Sequence, residues 1–408
     1  MKITVNNLAK IKNAEDIEIK DFNIFIGKNG TGKTYFAKLI YFLNNFSYQM
    51  DIIEKVLKKK IKEAFNKKET IIFTVQEQIK ITDEFNNYIK NQYGEFIGSK
   101  KEMFSQFTFN ITDLNNKELK IEYNNHFENF QQYYTYILSL YLDQTLNIAK
   151  SHYLPAARAN YMITYKNLFA SQFSDLRAAY LNKNKKDKIS ILPEIENNFL
   201  KDIYEVDTKV RGELYSLGNK IEKKIFKSGK LSIRNPQSQD LPTYEYRLND
   251  IKQNIDLVSA SSAITELSPL IMYFRHKILY STAELLIIDE PELSLHPEAQ
   301  SALVEIMVEA VNKGLKIILV THSPYIIEAL NNHLQRDKIS GFDLPKEIKE
   351  FEPISADKVG AYLFEDETIK NILDDEVGLI DDKLLNSFNK MNDIYDSMRD
   401  IEWENSSD

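Results

Sequence analysis

Three short apolar runs open the chain, Ile3 to Val5, Asp16 to Ile19 and Phe22 to Ile26, followed by Tyr35 to Leu43, where apolar residues recur at helical spacing. Strands leading into a helix are the start of an α/β nucleotide-binding unit. The rhythm then changes. From Phe46 to Ser99 apolar residues return at helical spacing among many lysines; Phe107-Thr108-Phe109-Asn110-Ile111 and Leu119-Lys120-Ile121-Glu122-Tyr123 alternate like the arms of a hairpin; Phe127 to Ile148 predicts a long helix. A second irregular stretch begins helical, carries the basic loop Lys183 to Lys188, and ends in candidate strands Lys230 to Ile233 and Tyr244 to Leu248. Strand and helix alternate again from Ala283 to Leu330, and the tail closes with a hairpin-like Gly360 to Leu373 and an acidic helix, Asp382 to Trp403. This divides the chain into a core of residues 1–45, 150–160 and 255–335, an inserted lobe at 46–149 that is helical with a hairpin, a second insertion at 161–254, and a C-terminal extension at 336–408.

Between the third strand and the first helix lies Gly27-Lys28-Asn29-Gly30-Thr31-Gly32-Lys33-Thr34, a complete G-x-x-x-x-G-K-[ST] loop. Its glycines let backbone N–H groups turn inward on phosphate oxygens. Asn29, Gly30, Thr31 and Gly32 form that cradle, Lys33 reaches the β/γ-phosphates, and the Thr34 hydroxyl ligates Mg²⁺. The helix N-terminus that follows adds its own N–H groups and dipole.

Composition narrows the rest. A chain of 408 residues with 43% apolar content can bury a large core. Without cysteine there are no disulfides, thiolate zinc sites or cysteine nucleophiles, so any metal is held by oxygen or imidazole, and Mg²⁺ fits the loop. No run approaches the roughly eighteen uninterrupted apolar residues of a membrane span, and Met1 to Val5 enters a strand without a signal-peptide pattern. The expectation is a cytoplasmic protein without a membrane partner. A net charge of -8 argues against a wholly nucleic-acid-covering surface and leaves local basic stripes open, with Lys58-Lys59-Lys60, Lys67-Lys68 and Lys183 to Lys188 either such a stripe or solvated faces.

Leu285-Leu286-Ile287-Ile288-Asp289-Glu290 is an apolar run ending in two acids, as a buried parallel strand delivers side chains at its carboxyl edge. Alone it could equally be a strand entering an exposed turn. Beside the phosphate loop it becomes a site, with Asp289 holding Mg²⁺ through water and Glu290 polarising an attacking water. Lys316 to Pro324 is another buried strand, ending in His322, placed to donate to a γ-phosphate. His126, His152, His276, His296 and His333 have no comparable setting and read as structural.

Together these segments resemble an ABC-type P-loop ATPase head: the phosphate loop, Leu285 to Pro291, Leu293-Ser294-Leu295-His296-Pro297, and Thr321-His322-Ser323-Pro324. More narrowly they resemble the group around the overcoming-lysogenisation-defect (OLD) ATPases, which includes ATPase subunits of bacterial phage-defence systems. Tyr153-Leu154-Pro155-Ala156-Ala157-Arg158 looks like a segment common there, in the Q-loop region. The resemblance implies a mixed sheet with flanking helices, Asp289 as the Walker B acid, Glu290 as the catalytic glutamate, His322 as the switch histidine and Ser294 to His296 as the D-loop. It places the signature at Ser259 to Leu267, where Ser261 and Ser262 would bind the γ-phosphate of ATP held by a second subunit, and Ala263 stands where a glycine is expected. The rival reading of that segment is a serine-rich helix cap. Arg158 is either a phosphate or interface contact or a surface ion pair.

The implied activity is hydrolysis of ATP with Mg²⁺ by a homodimer or higher homo-oligomer, in a phage-defence complex whose effector, a nuclease or toxin, is a separate polypeptide. OLD proteins carry a TOPRIM nuclease after the head. Here only about seventy residues follow Leu334, and Asp374-Asp375-Glu376 and Asp381-Asp382 are not set at strand ends. The alternatives are an SMC-like or RecF-like DNA-repair ATPase, disfavoured in its SMC form by the lack of long heptad arms, and a transporter's ATPase subunit.

Overall fold

The computed structural model describes residues 2–44, 46–99, 106–111, 118–123, 127–146, 150–181, 192–234, 241–250, 253–349, 351–374 and 380. In chain order the first half contains β1 (Lys2–Leu8), β2 (Ile11–Glu18), β3 (Phe22–Gly27), α1 (Lys33–Leu43), α2 (Phe46–Lys67), β4 (Ile71–Phe73), α3 (Val75–Phe96), β5 (Thr108–Ile111), β6 (Leu119–Ile121), α4 (Phe130–Leu146), β7 (Lys150–Leu154) and α5 (Arg158–Leu181). There follow α6 (Glu194–Tyr204), α7 (Tyr215–Ile221), β8 (Gly229–Arg234), β9 (Thr243–Leu248), β10 (Asn254–Asp256), α8 (Ser262–Met272), β11 (Glu284–Asp289), α9 (Pro297–Asn312), β12 (Lys316–Thr321), α10 (Pro324–Lys338), β13 (Val359–Glu365) and β14 (Thr368–Asn371). The basic loop at 183–188 and the acidic helix expected at 382–403 lie outside the described residues.

Six strands form the central sheet in the order β14-β13-β3-β12-β11-β7. All neighbours run parallel except the β13–β14 pair. This is the mixed α/β architecture of a P-loop ATPase head, and its continuous apolar strands follow from burial on both faces. Alternate residues divide between the two layers. Phe22, Ile24, Ile26, Leu286, Ile288, Ile317 and Leu319 join a core with residues of α8, α9 and α10. Phe25, Leu285, Ile287, Ile318 and Val320 join another with residues of α1 and the three-stranded β2-β1-β5 sheet.

α1 is fastened to the sheet by aromatic rings. Phe36 packs on Phe25 at 5.4 Å between centroids and on Phe364 of β13 at 5.8 Å, in tilted geometry that suits ring quadrupoles. The helix whose first turn carries Lys33 and Thr34 therefore cannot slide along the strands.

The segments at 107–111 and 119–123 do not form the hairpin expected between them. β5 pairs antiparallel with β1, and β6 with β4. Alternation specifies a face to bury, and both segments bury it against other partners. β4 itself interrupts the helical stretch expected from 46 to 99; it follows Lys68, whose φ of 56° ends α2 in the left-handed region. The Gly360–Leu373 hairpin is present as β13 and β14, and β13 is also a full member of the central sheet, parallel to β3 from Val359↔Phe22 to Phe364↔Gly27.

Candidate nucleotide site

β3 ends in the phosphate loop, and the turn favours glycine. Gly27 has φ 149°, and a Cβ there would lie 2.4 Å from the Phe364 carbonyl oxygen. Gly32 caps α1 with φ 104°, a left-handed conformation that costs glycine little. Lys33 is buried, and its ammonium donates to the carbonyls of Gly27 and Lys28, both at 2.8 Å. Burial lowers its pKa to about 8, against the pull of Asp289, Glu290 and Glu292, so at neutral pH it keeps its charge.

β11 delivers the two acids. The Thr34 hydroxyl donates to Asp289 Oδ1 at 3.3 Å, and the Tyr153 hydroxyl, from the end of β7, donates to Oδ2 at 3.0 Å. Asp289 is buried, and desolvation first, then the charge of Glu290, pushes its pKa up to about 6. A buried carboxylate satisfied by two hydroxyls suits a hard cation. Among the described residues no group of three or more His, Asp or Glu could hold a metal alone. Thr34 and Asp289 could hold Mg²⁺ together with oxygens from a bound ligand, the usual manner for that ion. Glu290 is half-buried with φ 50°, a strained conformation costing about 1–2 kcal/mol, and its N–H donates to the Val320 carbonyl at 2.8 Å.

β12 lies between β3 and β11, so its carboxyl end brings His322 to the same place. The His322 backbone N–H donates to Glu292 Oε1 at 2.7 Å. Burial, then the Lys33 ammonium, lowers the imidazole pKa, which keeps the ring neutral at pH 7. One cavity of about 310 Å³ is lined by residues 29–35 on one side, by Glu290 and His322 on another, and by Lys10 from the β1–β2 turn. Asn29, Gly30, Thr31, Gly32, Lys33 and Thr34 are thus assembled with Glu290 and His322, and Asp289 reaches them through Thr34. A larger cavity of about 580 Å³, beside Glu222 and Arg275, contains none of these residues.

Ser261 and Ser262 do not line this cavity. Both are exposed at the start of α8, where Ser261 occupies the cap position without a side-chain capping hydrogen bond. Ser294 in the turn after the acids is also exposed, with φ 60°. Ser323 Oγ donates to Gln300 Oε1 at 2.5 Å and Gln300 Nε2 to the Leu295 carbonyl at 2.9 Å, tying this turn to the end of β12.

Arg158 fits neither alternative read from the sequence. It is 1% exposed, which excludes a surface ion pair, and its guanidinium donates to the backbone carbonyls of Asp289 (2.6 Å), Glu290 (3.0 Å), Glu266 (3.1 Å) and Pro155 (3.3 Å). Tyr153, Lys10 and Glu292 were also missed as site residues. Tyr153 carried a signal, since it heads the segment that the resemblance places in the Q-loop region.

Of the remaining histidines, His152 bonds Glu284 at 2.6 Å in the core, His276 Nδ1 meets the Val210 carbonyl and His333 Nδ1 the Glu352 carbonyl, all structural contacts. His296 is exposed, and His126 lies outside the described residues. Lys60 is bound to Glu77 and the Ile72 carbonyl, so it is no free cation for a phosphate backbone.

No curated protein matches the chain. Among solved structures it is similar to the crystal structure of the SmcHead bound to the C-winged helix domain of ScpA, at 11% identity and TM-score 0.39, covering 91% of this chain and 96% of that one. It is likewise similar to the Smc head domain with an extended coiled coil bound to the C-terminal domain of ScpA, derived from Pyrococcus furiosus, at 12% identity and TM-score 0.36, covering 97% and 98%. A family profile matches residues 22–328, from the phosphate-loop strand through His322 and into α10, and the chain belongs to that family, the AAA domain described as putative AbiEii toxin, Type IV TA system.

Proposed function

We propose that the chain binds and hydrolyses Mg·ATP as a head-to-tail homodimer, and that it is the ATPase subunit of an antiviral defence assembly of the OLD-like kind, controlling a separate effector. The observation that carries the catalytic part is convergence. Three adjacent parallel strands, β3, β12 and β11, end in Lys33/Thr34, His322 and Asp289/Glu290 around one cavity.

In this reading the Lys33 ammonium leaves the Gly27 and Lys28 carbonyls for phosphate oxygens, exchanging neutral acceptors for charged ones. Thr34 and Asp289 would hold Mg²⁺, whose charge would offset the negative charge that builds on the phosphates. Glu290 orients a water in line with the γ-phosphorus and accepts its proton, and His322, neutral, donates to a γ-oxygen. Ser261 and Ser262, exposed and outside the lining of the chain's own cavity, are left to a second copy, which would complete each site and close it from water. The effector role is supported by the resemblance of the motifs to OLD-like subunits and by the toxin named in the family's description.

The test is hydrolysis and mass in solution. The wild-type chain should release phosphate from ATP in a Mg²⁺-dependent manner, Lys33→Ala should lose ATP binding, and Glu290→Gln should bind ATP without turnover and accumulate as a dimer by light scattering. A Glu290→Gln protein that stays monomeric at saturating ATP overturns the dimer, and a Lys33→Ala protein with normal ATP affinity overturns the site. Hydrolysis stimulated by duplex DNA would instead favour the DNA-repair reading.

A further inference from the structure

The Arg158 guanidinium joins three parts of the molecule that the chain keeps far apart. Two of its nitrogens grip consecutive carbonyls, Asp289 and Glu290, at the strained peptide after β11. Its Nε faces α8, donating to the Glu266 carbonyl at 3.1 Å, with Glu266 Oε2 3.2 Å away, close enough for charge pairing though off the hydrogen-bond axis. Its own backbone turns back on Pro155, where β7 ends. Four of the five N–H groups of the planar fork meet backbone carbonyls, and the side chain is sealed from water.

Glu266 lies one turn beyond Ser262 on the same face of α8. The exposed end of that helix and the Arg158 contact therefore belong to one rigid rod. Ser262 and Glu266 thus share one helix, and Glu266 reaches the Glu290 backbone through a single side chain. We propose that Arg158 is a positioning residue that transmits docking of the second copy's triphosphate on α8 to Glu290, aligning the carboxylate with its water only when the dimer is closed. This rests on the head-to-tail reading above and adds its control: a lone subunit would hold ATP yet keep Glu290 misaimed.

Arg158→Lys is the first test, because it keeps the charge and loses the fork. The expected result is a folded protein with ATP affinity within about twofold of wild type, ATP-dependent dimerisation retained, and kcat lowered roughly 10- to 100-fold with little change in KM, the scale of a small misplacement at a reacting centre. A kcat within twofold of wild type overturns the proposal, and so does a parallel loss of ATP binding and turnover, which would make Arg158 only a scaffold. Glu266→Gln tests the link from the other side, for the case in which Arg158→Lys does not fold. It should lower kcat roughly 3- to 10-fold at unchanged ATP affinity, and the double variant should be no slower than Arg158→Lys alone. Normal turnover by Glu266→Gln, or fully additive losses, overturns the link. A wild-type chain that remains monomeric with ATP overturns the dimer reading and this one with it, whereas a dimeric wild type with unaffected variants overturns this one alone.

Discussion

The Tyr153 hydroxyl donates to Asp289 Oδ2 at 3.0 Å from a strand on the opposite side of β11 from β12. Burial raises the Tyr153 pKa well above 10, so the donor proton stays in place throughout the working pH range. Tyr153→Phe removes that donor and leaves one oxygen of a buried carboxylate without its partner. Stability in urea at pH 7 should fall by about 1–3 kcal/mol, and an unchanged midpoint would show that the hydroxyl is not a donor there.

Asp289 gives the site a pH-dependent stability. Its pKa in the fold, about 6, is above the ordinary 3.8, so the folded chain holds an extra proton between these values. The neutral carboxyl thus favours folding fully below about pH 4, and the contribution, roughly 3 kcal/mol, is lost as the pH rises through 6. Asparagine carries no such dependence. Between pH 4.5 and pH 7.5, with chelator and without nucleotide, Asp289→Asn should gain stability relative to wild type. A difference that stays flat across that range rules out the buried-carboxylate account.

His322 should titrate below the ordinary imidazole value of 6.5, first because it is buried and then because Lys33 is close. Replacing Lys33 by Met removes a repelling cation. The His322 midpoint, followed by NMR of the ring protons without nucleotide, should therefore move to higher pH in Lys33→Met. No movement would mean that the two side chains are not neighbours.

The loop glycines should separate cleanly. At Gly27 a methyl would meet the Phe364 carbonyl at 2.4 Å, while at Gly30 no atom lies within 4 Å of the added carbon. Both carry positive φ, so both alanine variants pay a backbone cost of about 1 kcal/mol, and Gly27→Ala adds a clash with main chain costing a further ~1–3 kcal/mol. Thermal melts should rank Gly27→Ala well below Gly30→Ala. Equal melting temperatures would contradict the packing of β3 on β13.

The phosphate loop was legible because its chemistry is written in eight consecutive residues, and the strand ends at Asp289 and His322 because continuous apolar runs mark buried strands. That the three belong to one site was read from the pairing of acids and histidine at strand ends with a phosphate loop and then supported by resemblance, since no local pattern states which strands are neighbours. Arg158 was misread for a related reason. Its partners are mostly carbonyl oxygens, which every residue owns, so nothing in the sequence beside it signals that the guanidinium is buried. β5 and β6 each showed the face they bury and not the strand they join, and β13 looked like half of a hairpin although it also completes the central sheet.

That last pairing sets an order on synthesis. Gly27 rests against the carbonyl of Phe364, more than three hundred residues later, and β3 stands between β12 and β13. While the ribosome is still making the middle of the protein, the loop has its letters but not its walls. A nascent chain therefore lacks the neighbour of β3 on that side, and the carbonyl against which Gly27 turns, until β13 has been made.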